Sequence, residues 1–346
     1  MLRRSAAFAL AVLVLALSGC TGIINGSPDL RWWLFSRYGA DRICPELLKR
    51  SMPVHLTDGA PAVGRFFPVS CGVRIDEANH VIVVNITGTG YGYVVPARRV
   101  GYSVSASVEY RPDFVIAGDD IYLWARVNRV VDGPRFNTAY IENGYLDAVG
   151  NLPPFGNLGN FLGNQAVSGV MTRGFTVIHN SSRGDDFTLG IIQPPTRPQH
   201  PFQVVSNERL TFANETTDVH NTQRDFLGPF EVASPGQSIF LSTTVQGPAV
   251  NMVVVSKAVG DAWREAYQTG RPSSAPPGPV QYSNVVQPGA VDSRRYALPP
   301  GLYYIVVDNN VGGPSLSSLL TPINPLGIGA ASGLARVSYV AQLATP

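Results

Sequence analysis

The 346-residue chain carries 26 basic and 24 acidic side chains, and charged residues make up only 14% of it. So balanced a body lacks the basic field that nucleic acid or anionic surfaces require, and nucleic acid is disfavoured as a partner. With 35 glycines and 28 prolines beside abundant Val, Tyr and Phe, the composition favours many short strands joined by turns.

At the amino terminus, Arg3 and Arg4 precede an unbroken apolar run from Ala6 to Leu17. That is the length of a secretory signal and shorter than the about 20 residues needed to span a bilayer. Leu17-Ser18-Gly19-Cys20 follows directly and resembles the lipobox of bacterial lipoproteins. The resemblance implies that residues 1–19 are a signal peptide, that Cys20 is lipidated, and that residues 20–26 form a short tether. It places the protein in the cell envelope with the membrane as partner. In a Gram-negative host the outer membrane is implied, because Thr21 is not acidic. Two or three acyl chains, at about 0.8 kcal/mol per buried methylene, would hold the protein durably.

With Cys20 assigned to lipid, Cys44 and Cys71 are the other cysteines. In an oxidising envelope they are expected to form a disulfide, worth about 3 to 4 kcal/mol on the chain-entropy model. Free thiols, or a metal pair with histidine help, are the alternatives.

Residues 27–192 read as an α+β domain. Ser27-Pro28-Asp29 has the form of a helix start. The helix runs through Trp32, Leu34 and Tyr38, breaks near Gly39, and continues through Ile43, Leu47 and Leu48. It is expected to pack on the following domain, although Trp32 and Trp33 near the anchor suit a membrane surface too. Strands are expected from His80 onward: Val81–Val84 as a buried run, then Tyr102–Val108 and Ile121–Val127 by alternation, with Asp132-Gly133-Pro134 closing the last. Gly88-Thr89-Gly90-Tyr91-Gly92 reads as a turn between strands, since no helix follows it to make a nucleotide loop. Next comes a helical pattern with Leu158, Phe161, Leu162, Ala166, Val170 and Met171 on one face beside Gly159, Gly163 and Gly169. Each such glycine costs a helix about 1 kcal/mol relative to alanine, so it points to close packing. Asn160, Asn164, Gln165 and Arg173 argue against a membrane span. Strands followed by an apolar helix loosely resemble half of a tubular lipid-binding domain, which implies a lipid groove lined by Leu158, Phe161, Leu162 and Val170.

Proline density at Gln193-Pro194-Pro195-Thr196-Arg197-Pro198 marks a linker over 193–201. Residues 202–346 then read as an all-β sandwich, jelly-roll-like. Its strands are Gln203–Phe212, Ser238–Val245, Val250–Val255, Tyr296–Leu298, Tyr303–Val307 and Arg336–Leu343, with one short helix at Gly260–Tyr267. The stretch from Leu298-Pro299-Pro300-Gly301 to Asp308 resembles the strand pair of secreted bacterial sandwiches, among them pre-peptidase C-terminal domains and jelly-roll modules. Alternation puts Tyr303 and Tyr304 on opposite faces, one expected in the core and the other exposed. With Tyr91 and Tyr93 they offer a candidate platform for a sugar or a protein.

Motifs for chemistry are sparse. His55, His80, His179, His200 and His220 stand singly, without local metal-ligand spacing, and there is neither a GxSxG elbow nor a P-loop. Asp119-Asp120, Asp185-Asp186 and Asp308-Asn309-Asn310 suit turns better than calcium. The sequence therefore predicts a lipid-anchored envelope protein with a non-catalytic binding or assembly role. No metal or cofactor is expected, and the partner is an envelope protein or a lipid or glycan ligand. A lipid-binding protein and an envelope hydrolase are the alternatives. Non-reducing peptide mapping of the exported protein should join Cys44 to Cys71, whereas two alkylatable thiols would contradict the pairing.

Overall fold

The computed structural model describes residues 22, 24–38, 40–57, 59–95, 97–143, 174–180, 184–198, 202, 209–272, 275–310 and 333–345. The protein is mostly β, with large sheets. Two helices, α1 (Pro28–Tyr38) and α2 (Ala40–Leu48), lead into β1 (Met52–His55), β2 (Ala62–Asp76), β3 (Val81–Val94), β4 (Arg98–Ala117) and β5 (Asp120–Ile141). After these come β6 (Phe175–Asn180), β7 (Gly184–Leu189), β8 (Leu210–Val219), β9 (Arg224–Val232), β10 (Ser238–Gln246) and β11 (Val250–Ser256). Helix α3 (Lys257–Gln268) precedes β12 (Val280–Val286), β13 (Asp292–Ala297), β14 (Gly301–Asp308) and β15 (Ala335–Ala344). The signal segment, Cys20, the glycine-flanked helical pattern at 158–171, His200 and the beginning of the Gln203–Phe212 strand lie outside the described residues.

Strands begin at Met52, well before the expected His80. Pro68, Gly64 and Gly72 broke the apolar pattern of β2, and its pairing with β3 slips between Pro68 and Ser70. Such an irregularity lets a proline remain in a strand.

The larger sheet has eleven strands in the order β1-β2-β3-β4-β5-β6-β7-β8-β15-β10-β13. On the side of β8 away from β15, β7 meets Thr211 and β2 meets Thr217. Strands β2 to β8 therefore form a closed circuit. Phe66, Ile82, Val84, Ile86, Tyr102, Val104 and Val108 build a core on which Trp32 of α1 and Ile43 and Leu47 of α2 pack. Trp32 also donates its indole N–H to Glu77 at 2.6 Å and stacks on His80. Core packing thus accounts for Trp32, while Trp33 is 54% exposed. The Cys44–Cys71 disulfide ties α2 to β2.

Two expected turns are strand interior instead. Gly88 to Gly92 lies within β3, where a Cβ would meet the Phe66 ring 2.5 Å from Gly88 and the Tyr102 ring 2.5 Å from Gly90. The glycines let aromatic rings of the neighbouring strands lie across the backbone. Asp132-Gly133-Pro134 does not end β5, because Ser105 pairs with Arg135 and Ser107 with Asp132, leaving Gly133 and Pro134 in an irregular register. On its other side β5 pairs with β6 through Asp120–Ala125, so among the described residues Pro134 interrupts no ladder there.

In the second half, β8, β15, β10 and β13 face a four-stranded sheet in the order β12-β11-β14-β9, a sandwich-like arrangement. Leu227, Ile239, Leu241, Met252, Val254, Ile305, Val337 and Tyr339 fill the space between. Two of its strands escaped the sequence pattern. Strand β9 carries Gly228-Pro229 in its middle, and β12 is exposed along nearly its whole length.

Tyr303 and Tyr304 do take opposite faces, but both are buried, at 5% and 1% exposure. Tyr303 enters the sandwich core, and Tyr304 lies on the outer face beneath α3. A Cβ on Gly260 would sit 2.2 Å from the Tyr304 ring, so only glycine lets the helix approach this closely. The carboxyl end of α3 is equally tight against β4, where a Cβ on Gly101 would lie 1.8 Å from the Gln268 carbonyl oxygen. Gly101→Val should lower the urea midpoint by the equivalent of about 1–3 kcal/mol or more, as overpacking does. An unchanged midpoint would show that α3 is not seated on β4.

Candidate functional site

Period two along β2 turns Phe66 into the α1–α2 core and sends Arg65 and Phe67 toward the sandwich. Arg65 is thereby buried, at 2% exposure, between the two halves of the molecule. Its Nε donates to Asp225 Oδ1 at 2.8 Å, and Nη2 donates to Glu215 Oε2 at 3.0 Å and to the Tyr339 hydroxyl at 2.9 Å. Tyr339 donates in turn to Glu215 Oε2 at 2.6 Å. Tyr91 donates to Asp225 Oδ1 at 2.7 Å and accepts the Phe226 backbone N–H at 2.7 Å. Five strands, β2, β3, β8, β9 and β15, each contribute a member to this network.

Burial by itself lowers the Arg65 pKa, but Asp225, Tyr339 and Glu215 outweigh it and hold the pKa well above the ordinary value. Burial also pushes the Tyr91 and Tyr339 phenols well up, so both act as neutral donors. The guanidinium is thus fixed as a cation and held by its partners.

Around this centre, further cations lie on aromatic rings. Arg224 bonds Asp308 at 3.0 Å and sits 5.1 Å from the centroid of Trp263. Arg264 covers Phe67 at 4.1 Å, reaches Thr89 Oγ1 at 3.1 Å and pairs with Asp261 at 3.2 Å. Arg99 lies 4.1 Å from the Tyr267 ring and 5.1 Å from that of Tyr140. Burial pushes the Tyr267 phenol up to about 12. Phe67 and Tyr91 join Phe226, Trp263, Tyr267 and Tyr304 in one aromatic cluster, so the junction is an apolar core threaded by ion pairs.

A cleft of about 270 Å³, open mouth included, borders the network between Tyr91, Tyr93, Arg99, His220, Gln223 and Asp225. At its rim the His220 ring stacks on Tyr93 with centroids 3.5 Å apart. Burial lowers the His220 pKa, Asp218 opposes that shift, and Arg98 reinforces it.

The residues singled out in the sequence fare differently. Cys44 and Cys71 come together, whereas Cys20, Leu158, Phe161, Leu162 and Val170 fall outside the described residues. Asp120 and Asp186 are strand residues, not turn residues, and both bind Arg197, with Nη1 2.6 Å from Asp186 Oδ2. A guanidinium holds these carboxylates. The stretch containing Arg197, expected as a linker over 193–201, is further held where Tyr122 donates to the Thr196 carbonyl at 3.1 Å. Next to it, Trp124 donates to the Ile192 carbonyl at 2.7 Å. The tyrosines form no common platform, since Tyr91 is buried on Asp225, Tyr93 stacks on His220, and Tyr303 and Tyr304 diverge. Among the described residues no group of three or more His, Cys, Asp or Glu side chains is placed to hold a metal ion. Sequence reasoning missed Arg65, Glu215, Asp225 and Tyr339. The available signal was a charge inside an apolar strand run, as in Val63-Gly64-Arg65-Phe66-Phe67 and Arg224-Asp225-Phe226-Leu227.

Arg65→Met should cost about 3–5 kcal/mol in urea unfolding, because it leaves buried carboxylates uncompensated. Arg65→Met combined with Asp225→Leu should cost less than the sum of the two single changes. Strict additivity would mean that the pair is not coupled. His220 yields a pH dependence of definite sign. Its folded pKa lies below the unfolded value of about 6.5, so stability is lost as pH falls from there through the folded pKa. His220→Phe keeps the stack and should flatten the decline in stability between about pH 7 and about pH 5. Equal declines in both proteins would assign the effect elsewhere.

No protein family model matches the chain, and no curated protein matches it.

Proposed function

We propose that this protein is a cell-envelope lipoprotein, anchored through Cys20, that serves a non-catalytic binding or assembly role. The observation that carries the reading is the fate of the cysteines. One stands at the end of Leu17-Ser18-Gly19-Cys20, and the two left over are bonded to each other, as an oxidising compartment permits. In a Gram-negative host the outer membrane is its place, since Thr21 follows the cysteine.

The body sits close to that membrane. Asn25 donates to the Ile116 carbonyl at 3.0 Å and accepts the Ile116 N–H at 3.1 Å, so the chain is docked on β4 five residues after Cys20. Five extended residues span at most roughly 18 Å. This favours partners held at the membrane surface over distant ones.

The finer architecture accords with a binding module. In this reading residues 27–192 form an α+β domain and residues 202–346 a jelly roll, whose strand orders β8-β15-β10-β13 and β12-β11-β14-β9 follow the double Greek key. Recognition by an exposed surface suits a junction whose charges are spent on one another. An envelope protein, or a lipid or glycan, is the ligand class.

Cys20→Ala should move the protein from the membrane fraction to the soluble fraction, and metabolic labelling with a fatty acid should mark only the parent. Unchanged membrane retention would remove the anchor from this proposal.

A further inference from the structure

Gly92 stands inside β3, paired with Gly64 of β2 on one side and with Val100 of β4 on the other, with no slip in register at either. Glycine weakens a strand, and where it persists it marks a bulge, a bend, or the close approach of another backbone or a ligand. For Gly64 the cause is backbone, since a Cβ there would lie 2.0 Å from the Tyr91 carbonyl oxygen. Gly92 has no such cause. A Cβ on it would meet nothing nearer than the Val63 carbonyl oxygen at 4.0 Å, and its φ is not left-handed.

Tyr91 turns to Asp225 and Tyr93 to His220, so by alternation a side chain at 92 would point to the opposite face of β3. On that face Gly92 floors a pocket of about 280 Å³, open mouth included. The pocket lies between two apolar clusters. Val54 and Tyr102 belong to the core beneath α1 and α2, and Val94 and Val100 to a separate cluster with Ala97 and Ile141. Val63, which the β1–β2 pairing skips, and Leu56, 37% exposed, complete the lining. Every lining side chain is hydrocarbon except for the Tyr102 hydroxyl, which is buried without a hydrogen-bond partner.

We infer that this pocket takes the end of a single alkyl chain of a lipid, and that Gly92 lacks a side chain to leave room for it. Removal of apolar surface from water is the interaction such a wall offers. A sugar or a peptide backbone would bring hydroxyls or amides that the wall leaves unsatisfied, whereas a chain end brings none. Apolar cavities stay dry and accept apolar molecules. The choice of a lipid rests on the ligand class proposed above, but the pocket does not depend on the anchor.

Gly92→Ala has open space for its methyl group, so it should unfold at a higher urea concentration than the parent. A lower midpoint would show that the fold itself needs glycine at 92 and would overturn the inference. A fatty acid bearing a diazirine at its methyl end, photolysed with the full-length protein, should label peptides spanning 54–63 and 92–102. Gly92→Ile fills the pocket and should lose that label. Leu56→Asp, which sets a charge on the exposed side of the pocket and leaves the buried wall untouched, should weaken the label even if Gly92→Ile does not fold. Absence of label in the parent, or equal label in the parent and Leu56→Asp, would overturn the inference. Label from the free acid alone assigns the pocket to a free fatty acid, and label from phospholipid vesicles carrying the same chain assigns it to a membrane lipid. Labelling is read in whichever fraction holds the protein, so failure of the anchor leaves this test intact, and failure of the label leaves the anchor standing.

Discussion

A guanidinium placed between two sheets has lost its water, and the loss is tolerable only when carboxylates and hydroxyls arrive with it. Arg65 imposes that condition here. Its partners Asp225, Glu215 and Tyr339 belong to three strands of the second half of the chain, more than 140 residues further on. Wherever β2 goes, β8, β9 and β15 must therefore follow. The network adds less to net stability than its short distances suggest, because desolvation consumes much of the Coulomb gain. Its larger effect is on specificity: any other docking of the two halves leaves a buried charge unpaired.

Apolar packing supplies what the ion pairs do not. Phe67, Tyr91, Phe226, Trp263, Tyr267 and Tyr304 pack as one cluster across the junction, and aromatic contact of this kind contributes beyond its buried area. Helix α3 belongs to the sandwich by sequence yet reaches β4 and β3 of the first half, through Gly101 and Thr89. The arginines around the cluster bury their stems and rest their charged planes on the rings. The cleft beside Arg65 is thus the seam of a lock. In its lining Asp225 Oδ1 is held by Arg65, Arg224 by Asp308, Tyr267 by Gln223 and the His220 ring by Tyr93, which turns attention to outer surfaces.

The amino-terminal end of the body is tied down at two places. Near the amino terminus, the disulfide and the Asn25–Ile116 hydrogen bonds hold the chain close to the proposed anchor.

By itself the sequence determined the β-rich character, both amino-terminal helices, the short helix at 260–267 and the strands with clear alternation, because those signals repeat over neighbouring residues. It also pointed to Cys71 as the expected partner of Cys44 once Cys20 was set aside for the proposed anchor, and the structure joins the two. Tertiary structure decided the rest. Strands β2 and β9 carry proline and glycine inside and reveal themselves only against their neighbours. Tyr304 is buried because a helix inserted elsewhere in the chain covers it. Asp120 and Asp186 became ligands of Arg197 because three segments converge. Arg65 read as one charge in an apolar run, and its meaning lay in Asp225, 160 residues away. Local pattern records which face a residue takes, but the partner across that face is set by how the chain closes on itself.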